Sequence, residues 1–142
     1  MLAAQSESIF PLIKAWEVAD TNQTRIAELT YAPLRIKNNP SQYINNQKIV
    51  AEFENYLKKK PDDRLQARLT IYEILGKISY TQKVDELDHE KIFQAIKLAY
   101  KLKDDQLKSE LFALYASVNY WNDSIFLLYN IKSILLQKKG RY

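Results

Sequence analysis

Cysteine is absent from the 142 residues, which removes disulfides, thiolate nucleophiles and cysteine-ligated metal centres. Glycine occurs only at 76 and 140, and proline only at 11, 33, 40 and 61. So few glycines argue against a Gly-rich phosphate loop and against a fold with many sharp turns. Histidine appears once, at 89, so a serine–histidine–acid triad would rest on that residue alone, and no G-x-S-x-G element accompanies it. No stretch reaches the roughly 18 apolar residues that a membrane-spanning helix needs. The amino terminus also lacks a basic segment followed by a hydrophobic core.

What remains suits helices. Alanine, leucine, lysine, glutamate and glutamine are good helix formers, and no linker rich in Gly, Ser or Pro divides the chain. Twenty-one lysines and arginines against seventeen carboxylates leave a formal charge of +4, ordinary solubility charge for a domain of this size. The basic runs Lys58–Lys59–Lys60 and Lys138, Lys139, Arg141 fall at expected helix carboxy termini, where cations oppose the negative end of the helix dipole. A nucleic-acid surface would need these charges to converge, and no recognition motif accompanies them.

Periodicity predicts about six or seven helices in an all-α fold. The first covers Ser8 to Asp20, with Phe10, Ile13, Trp16 and Ala19 along one face and Pro11 in its first turn. A second element around Ile26, Leu29 and Tyr31 either stops near Tyr31 or kinks at Pro33. Asn38, Asn39 and Pro40 mark a turn after which Ser41 is a candidate cap. Ile49, Phe53, Tyr56 and Leu57 line the third helix, which ends at the triple lysine. Pro61, Asp62 and Asp63 open the fourth, whose broad face carries Leu65, Leu69, Tyr72, Leu75 and Ile78. Gly76 interrupts no pattern there, so we assign it to close helix packing. The fifth helix, Asp88 to Leu102, packs through Phe93, Ile96, Ala99 and Leu102. Asp104 and Asp105 begin the sixth, with Leu107, Leu111, Leu114, Tyr115 and Val118 inward. The seventh is apolar at Phe126, Leu128, Ile131, Ile134 and Leu135, and its opposite face is only weakly polar. It therefore needs burial on two sides or a further neighbour.

Pairing the fourth helix with the fifth, and the sixth with the seventh, gives three segments: an atypical helical region over 1–61, a pair over 62–103 and a terminal pair over 104–142. Leu75-Gly76 and Tyr80 in LGKISY, with Ala95 and Ala99 in QAIKLAYKL, resemble the tetratricopeptide repeat family. Tyr115-Ala116 and Tyr120 in YASVNY take the corresponding places in the next pair, followed by Ser124, Leu128 and Ile131 in SIFLLYNI. The resemblance spans about 80 residues and implies an α-solenoid, in which each repeat covers the apolar face of the last. The ending LYNIKSILLQKKG is also similar to terminal repeats in extracytoplasmic sensory regions of bacterial signal-transduction proteins. That likeness implies a sensory fragment with further sequence beyond Tyr142. MLAAQSES has the small residues found at an export cleavage site, so a periplasmic or extracytoplasmic setting stands beside a cytoplasmic one.

No constellation for catalysis emerges. His89 sits among Asp85, Glu86, Asp88 and Glu90, but the spacing matches neither H-E-x-x-H nor a calcium loop, and a helix-start cap at Asp88 accounts for the acids. The pairs Asp62/Asp63 and Asp104/Asp105 fall where helices need caps, and neighbouring side chains on a helix point apart. We therefore expect no enzyme activity and no cofactor or metal. Ten tyrosines and two tryptophans supply either core packing or a binding ledge. By the family resemblance, Tyr80, Tyr120 and Trp121 approach a concave groove, with Glu73, Lys77, Glu110 and Ser117 nearby by helix spacing. Such a groove holds a protein or peptide segment, apolar contacts giving energy and polar ones fixing register. Self-association, or contact with a downstream domain, are further partners for this surface. The rival class is an RNA- or DNA-binding helical repeat that stacks bases on Tyr80 or Trp121.

Overall fold

The computed structural model describes residues 2–17, 23–81, 83–119 and 123–140. They form seven α-helices: α1 (Leu2–Glu17), α2 (Gln23–Thr30), α3 (Pro40–Lys59), α4 (Asp63–Thr81), α5 (Glu86–Leu102), α6 (Asp105–Val118) and α7 (Asp123–Gly140). A 3-10 turn, Ala32–Arg35, joins α2 to the segment before α3. No strand occurs among the described residues, so the fold is all-α. The chain divides into two compact units, 1–83 and 84–142, with the division between α4 and α5, inside the 62–103 pair expected from sequence.

Helix starts are set by side chains that accept the unpaired amides of the first turn. Asn39 Oδ1 accepts the Gln42 N–H at 3.1 Å, so Asn39 rather than Ser41 caps α3, and Pro40 takes the first helical position where its missing N–H costs nothing. Asp62 Oδ1 accepts from Leu65 N–H at 2.9 Å, and Asp104 Oδ1 from Leu107 N–H at 3.0 Å. At α5 the cap is Asp85, not Asp88. Asp85 accepts from the Asp88 N–H at 2.9 Å, while Asp88 Oδ2 accepts from the Asp85 N–H at 3.0 Å. This reciprocal box satisfies two orphan donors and starts the helix two residues earlier than the apolar pattern implies.

In the first unit, α1, α3 and α4 enclose a core of Ile9, Leu12, Ile13, Trp16, Val50, Phe53, Leu57, Leu65, Leu69 and Tyr72. The buried face of α1 runs through 9, 12, 13 and 16, while Phe10 is half exposed. Pro11 stands inside α1 rather than in its first turn, and the burial of that face offsets the lost hydrogen bond. Ala19 lies outside the described residues. Trp16 anchors the cluster: its ring centroid lies 5.3 Å from that of Phe53 and 5.9 Å from that of Tyr72. Its indole N–H donates to Thr30 Oγ1 at 3.0 Å, satisfying two buried polar groups with one bond. α2 ends at Thr30, and Pro33 is buried in the 3-10 turn instead of kinking a longer helix. Ser79 of α4 holds the segment that follows, accepting the Lys37 N–H at 2.7 Å and donating to the Leu34 carbonyl at 3.2 Å.

α4 is buried well beyond one stripe. Leu65, Leu69, Tyr72 and Leu75 are joined inside by Ala67, Thr70, Ile71, Ile74 and Gly76. Gly76 has the packing role expected of it. A Cβ there would stand 2.5 Å from Asn46 Nδ2 and 3.3 Å from Asn46 Cγ, so the missing side chain is the space that the α3 amide occupies. In the second unit α6 is the central helix, packed on both α5 and α7, with Leu107, Leu111, Leu114, Tyr115 and Val118 buried as expected. α5 buries Ile92, Ala95, Ile96 and Ala99, whereas Phe93 turns outward.

The contact at Gly76 is testable by a double-mutant cycle. Gly76→Ala gains about 1 kcal/mol of helix propensity. In the native background, displacement of the buried Asn46 amide offsets this gain and leaves stability nearly unchanged. In an Asn46→Ala background the same change stabilises by about 1 kcal/mol. Urea denaturation of the four proteins measures the coupling, and additive effects would refute the close approach.

Candidate binding surfaces

Among the described residues, the second unit presents the densest aromatic surface. Phe93 and Tyr100 lie seven residues apart on α5, 41 % and 54 % exposed. The α5 core positions are filled by smaller residues, so these two rings are left to pack sideways on α6. The centroids of Phe93 and Tyr115 are 4.7 Å apart, and those of Tyr100 and Phe112 are 6.3 Å apart. Tyr129 of α7 joins both, 4.6 Å from Tyr115 and 5.6 Å from Phe112. His89 meets the Tyr115 ring edge-on at 5.8 Å. Five aromatic rings and one imidazole thus form one connected sheet of contacts across three helices. Tilted and edge-to-face pairs of this kind contribute about 0.5–1.5 kcal/mol each beyond their buried area.

Two cations complete the surface. Lys132 Nζ of α7 stands 5.0 Å from the Tyr129 centroid and 5.6 Å from that of Phe112. Lys108 Nζ lies 4.3 Å from the Tyr100 centroid and 3.3 Å from Asp105 Oδ1. Each ammonium sits over a π-face, where the ring quadrupole attracts it. Exposed ring area beside fixed positive charge is suited to holding an apolar or acidic segment. It is not an acid–base arrangement. His89 contacts a ring, and its neighbours Asp85 and Asp88 are committed to the α5 cap. Among the described residues no group of three or more His, Asp or Glu could hold a metal ion.

Three of the residues expected at a groove, Glu73, Lys77 and Tyr80, lie on α4 in the first unit. Glu73 and Lys77 of α4 line a cleft of about 200 Å³ with Tyr43, Gln47 and Glu54 of α3. Tyr80 stacks on Tyr43, centroids 4.4 Å apart and planes 16° from parallel. These three α4 residues therefore share one side of the helix. A second cleft of about 330 Å³ runs between the 3-10 turn and α3, with Pro33, Ile36, Gln42 and Asn46 on its walls. Glu110 and Ser117 belong to the second unit. They lie seven residues apart on one side of α6, about 140–160° around the helix from Phe112 and Tyr115. Ser117 Oγ donates to the Ala113 carbonyl at 3.0 Å. Tyr120 and Trp121 lie outside the described residues.

Sequence reasoning placed Phe93 and Tyr115 in the core and left Tyr100 and Tyr129 unassigned. The pattern that reveals the surface is a ring at 93 and 100 on a helix whose core stripe is already complete, with rings at 112, 115 and 129 on the two helices that follow. No family model, no curated protein and no solved structure matches the chain. No helix among the described residues is long and apolar enough to cross a membrane.

Burial raises the Tyr115 phenol above its ordinary value of 10.0, and nearby Tyr129 adds to the shift, while a hydrogen bond with Asn119 opposes it. Burial alone raises Tyr72 in the first unit. Both groups hold their protons more tightly folded than unfolded. Their contribution is therefore complete below the unfolded value near pH 10 and is lost as pH rises through the folded values. Urea midpoints should fall above about pH 10, and Tyr115→Phe, which keeps the ring contacts, should shallow the fall. An unchanged slope would show that Tyr115 ionises as freely in the fold as in the open chain.

Proposed function

We propose that this chain is a non-enzymatic scaffold that binds a protein or peptide segment, and that the ring surface of α5, α6 and α7 is its contact face. The observation that carries this reading is the exposure of Phe93 and Tyr100 on a foundation of buried rings. Anchors of this type lose little conformational freedom on binding, because the neighbouring rings already hold them in place. Lys108 and Lys132 favour a partner with acidic or carbonyl-rich character beside its apolar residues.

Successive helices support a repeat reading, which remains part of the proposal. Contacts of 46 with 76 and 43 with 80 run α3 and α4 antiparallel. Contacts of 93 with 115 and 100 with 112 do the same for α5 and α6, and those of 109 with 133 and 112 with 129 for α6 and α7. Antiparallel neighbours joined by short connections are what a tetratricopeptide-like array requires. A sensory role in bacterial signalling fits such an array, since it needs only capture of a segment and no chemistry.

The test begins with partners captured by the full chain and proceeds with one purified partner. Phe93→Ala and Tyr100→Ala should each weaken binding at least tenfold, about 1.4 kcal/mol, with helicity unchanged by circular dichroism. Loss concentrated in Lys77→Ala and Tyr80→Ala would move the contact to the α3–α4 cleft. A captured nucleic acid whose affinity collapses with salt would replace the protein-binding reading by the nucleic-acid one.

A further inference from the structure

The cleft between the 3-10 turn and α3 has two buried polar groups in its wall that the fold does not use. Asn46 is 5 % exposed and Tyr72 is 7 % exposed, and both line this space of about 330 Å³. Neither the Asn46 carboxamide nor the Tyr72 hydroxyl makes a hydrogen bond with another described residue. Trp16 and Thr30, in the same unit, satisfy each other. A buried polar group without a partner is costly, and native folds keep few of them.

Both groups are held from behind. The Tyr72 ring stands edge-on to Trp16 with centroids 5.9 Å apart, and Asn46 is seated where Gly76 has no side chain. The facing wall is fixed as well. Pro33 is buried in the 3-10 turn, and Ser79 of α4 bonds the backbone on either side of Ile36, at Leu34 and at Lys37. A ligand entering this cleft would therefore meet walls already in place.

The chemistry of the cleft is uncharged. Pro33, Ile36 and Ile49 supply apolar surface, while Gln42 and Asn45 stand exposed beside the buried pair. None of the described residues that line it is charged; Glu54, Glu73 and Lys77 belong to the neighbouring cleft. A phosphate or carboxylate would be buried here without a counter-ion. Carboxamides present both donors and acceptors, and a hydroxyl can answer either one. The C–H face of a sugar ring suits the apolar side, and the volume falls at the small end of small-molecule sites.

We propose that this cleft binds a neutral sugar ring, with Asn46 and Tyr72 bonded to its hydroxyls and Pro33, Ile36 and Ile49 against its C–H face. The site lies wholly within the first unit and uses no residue of the ring surface. It therefore gives the chain a small-molecule ligand as well as a protein partner. A free sugar and a sugar residue of a longer glycan share this chemistry.

Calorimetric titration of the full chain with D-glucose, D-galactose, D-mannose and N-acetyl-D-glucosamine should find a binder among them, with a dissociation constant on the order of millimolar. Glucuronate and glucose 6-phosphate should bind at least about tenfold more weakly than that sugar. Tyr72→Phe keeps the ring on Trp16 and removes one hydroxyl, so binding should weaken about tenfold while the urea midpoint holds or rises. Asn46→Leu, similar in shape, should abolish binding, also without loss of stability. Methyl glycosides separate the two sources: binding as tight as the free sugar assigns a glycan-linked residue, and loss of binding assigns the free sugar. The proposal is overturned if none of the four sugars binds at tens of millimolar, if the charged forms bind as tightly, or if both variants bind like the native chain. A Tyr72→Phe chain less stable than the native one would overturn it too, since the hydroxyl would then have its partner within the fold.

Discussion

The second unit depends on the clasp between Ser109 and Ser133. Ser109 Oγ donates to the Ser133 carbonyl at 3.1 Å or pairs with Ser133 Oγ at 3.0 Å, and Ser133 Oγ donates to the Ser109 carbonyl at 2.9 Å. Both residues are buried. Two small side chains let the α6 and α7 backbones come close, and the reciprocal bonds satisfy hydroxyls that would otherwise cost about 1–3 kcal/mol each to bury. The contact also fixes the rotation of α7 about its own axis. With Ser133 turned inward, Tyr129 reaches Phe112 and Tyr115, and Lys132 covers the rings. The same rotation leaves Leu127, Leu128, Ile131, Ile134 and Leu135 facing outward. One polar contact thus decides which residues of a largely apolar helix become core, ring surface or open stripe.

The sequence made the helices legible because local rules agree there. Asp62 and Asp104 sit where an amino-terminal cap is needed, and the apolar positions of α6 repeat at three and four with little ambiguity. Gly76 was legible for the same reason, since the pattern continues through it. Legibility failed where two neighbouring residues competed for one face. Ile9 and Phe10, or Ile92 and Phe93, are equally apolar, and only the position of the facing helix decides which goes inside. In both cases the aliphatic residue took the core and the ring turned out. Periodicity likewise could not say which side of α7 is buried, because its apolar positions are spread all around the helix.

The aromatic ledge was anticipated as a kind of surface, but its residues were not. Tyr80 does stack on a ring, yet its partner is Tyr43 of the preceding helix, a contact between residues 37 apart that no local pattern encodes. Glu73 and Lys77 meet in one cleft because they are four residues apart on α4. Phe93, Tyr100, Tyr115 and Tyr129 meet only because α5, α6 and α7 pack in alternating directions. Nothing in the helical pattern singles out Ser109 and Ser133, so the clasp between them is not legible in the sequence.

The ring surface and the exposed stripe both depend on how α7 is rotated against α6. The direct measurement is disulfide formation in the Ser109→Cys/Ser133→Cys double variant at high dilution. The two hydroxyl oxygens are 3.0 Å apart, so sulfur atoms in their place approach the roughly 2.05 Å of a disulfide with little backbone movement. The predicted result is rapid formation of a bond within one chain, with helicity retained. Failure to form that bond, or linkage only between chains, would contradict the rotation of α7 and with it both surfaces built on that helix.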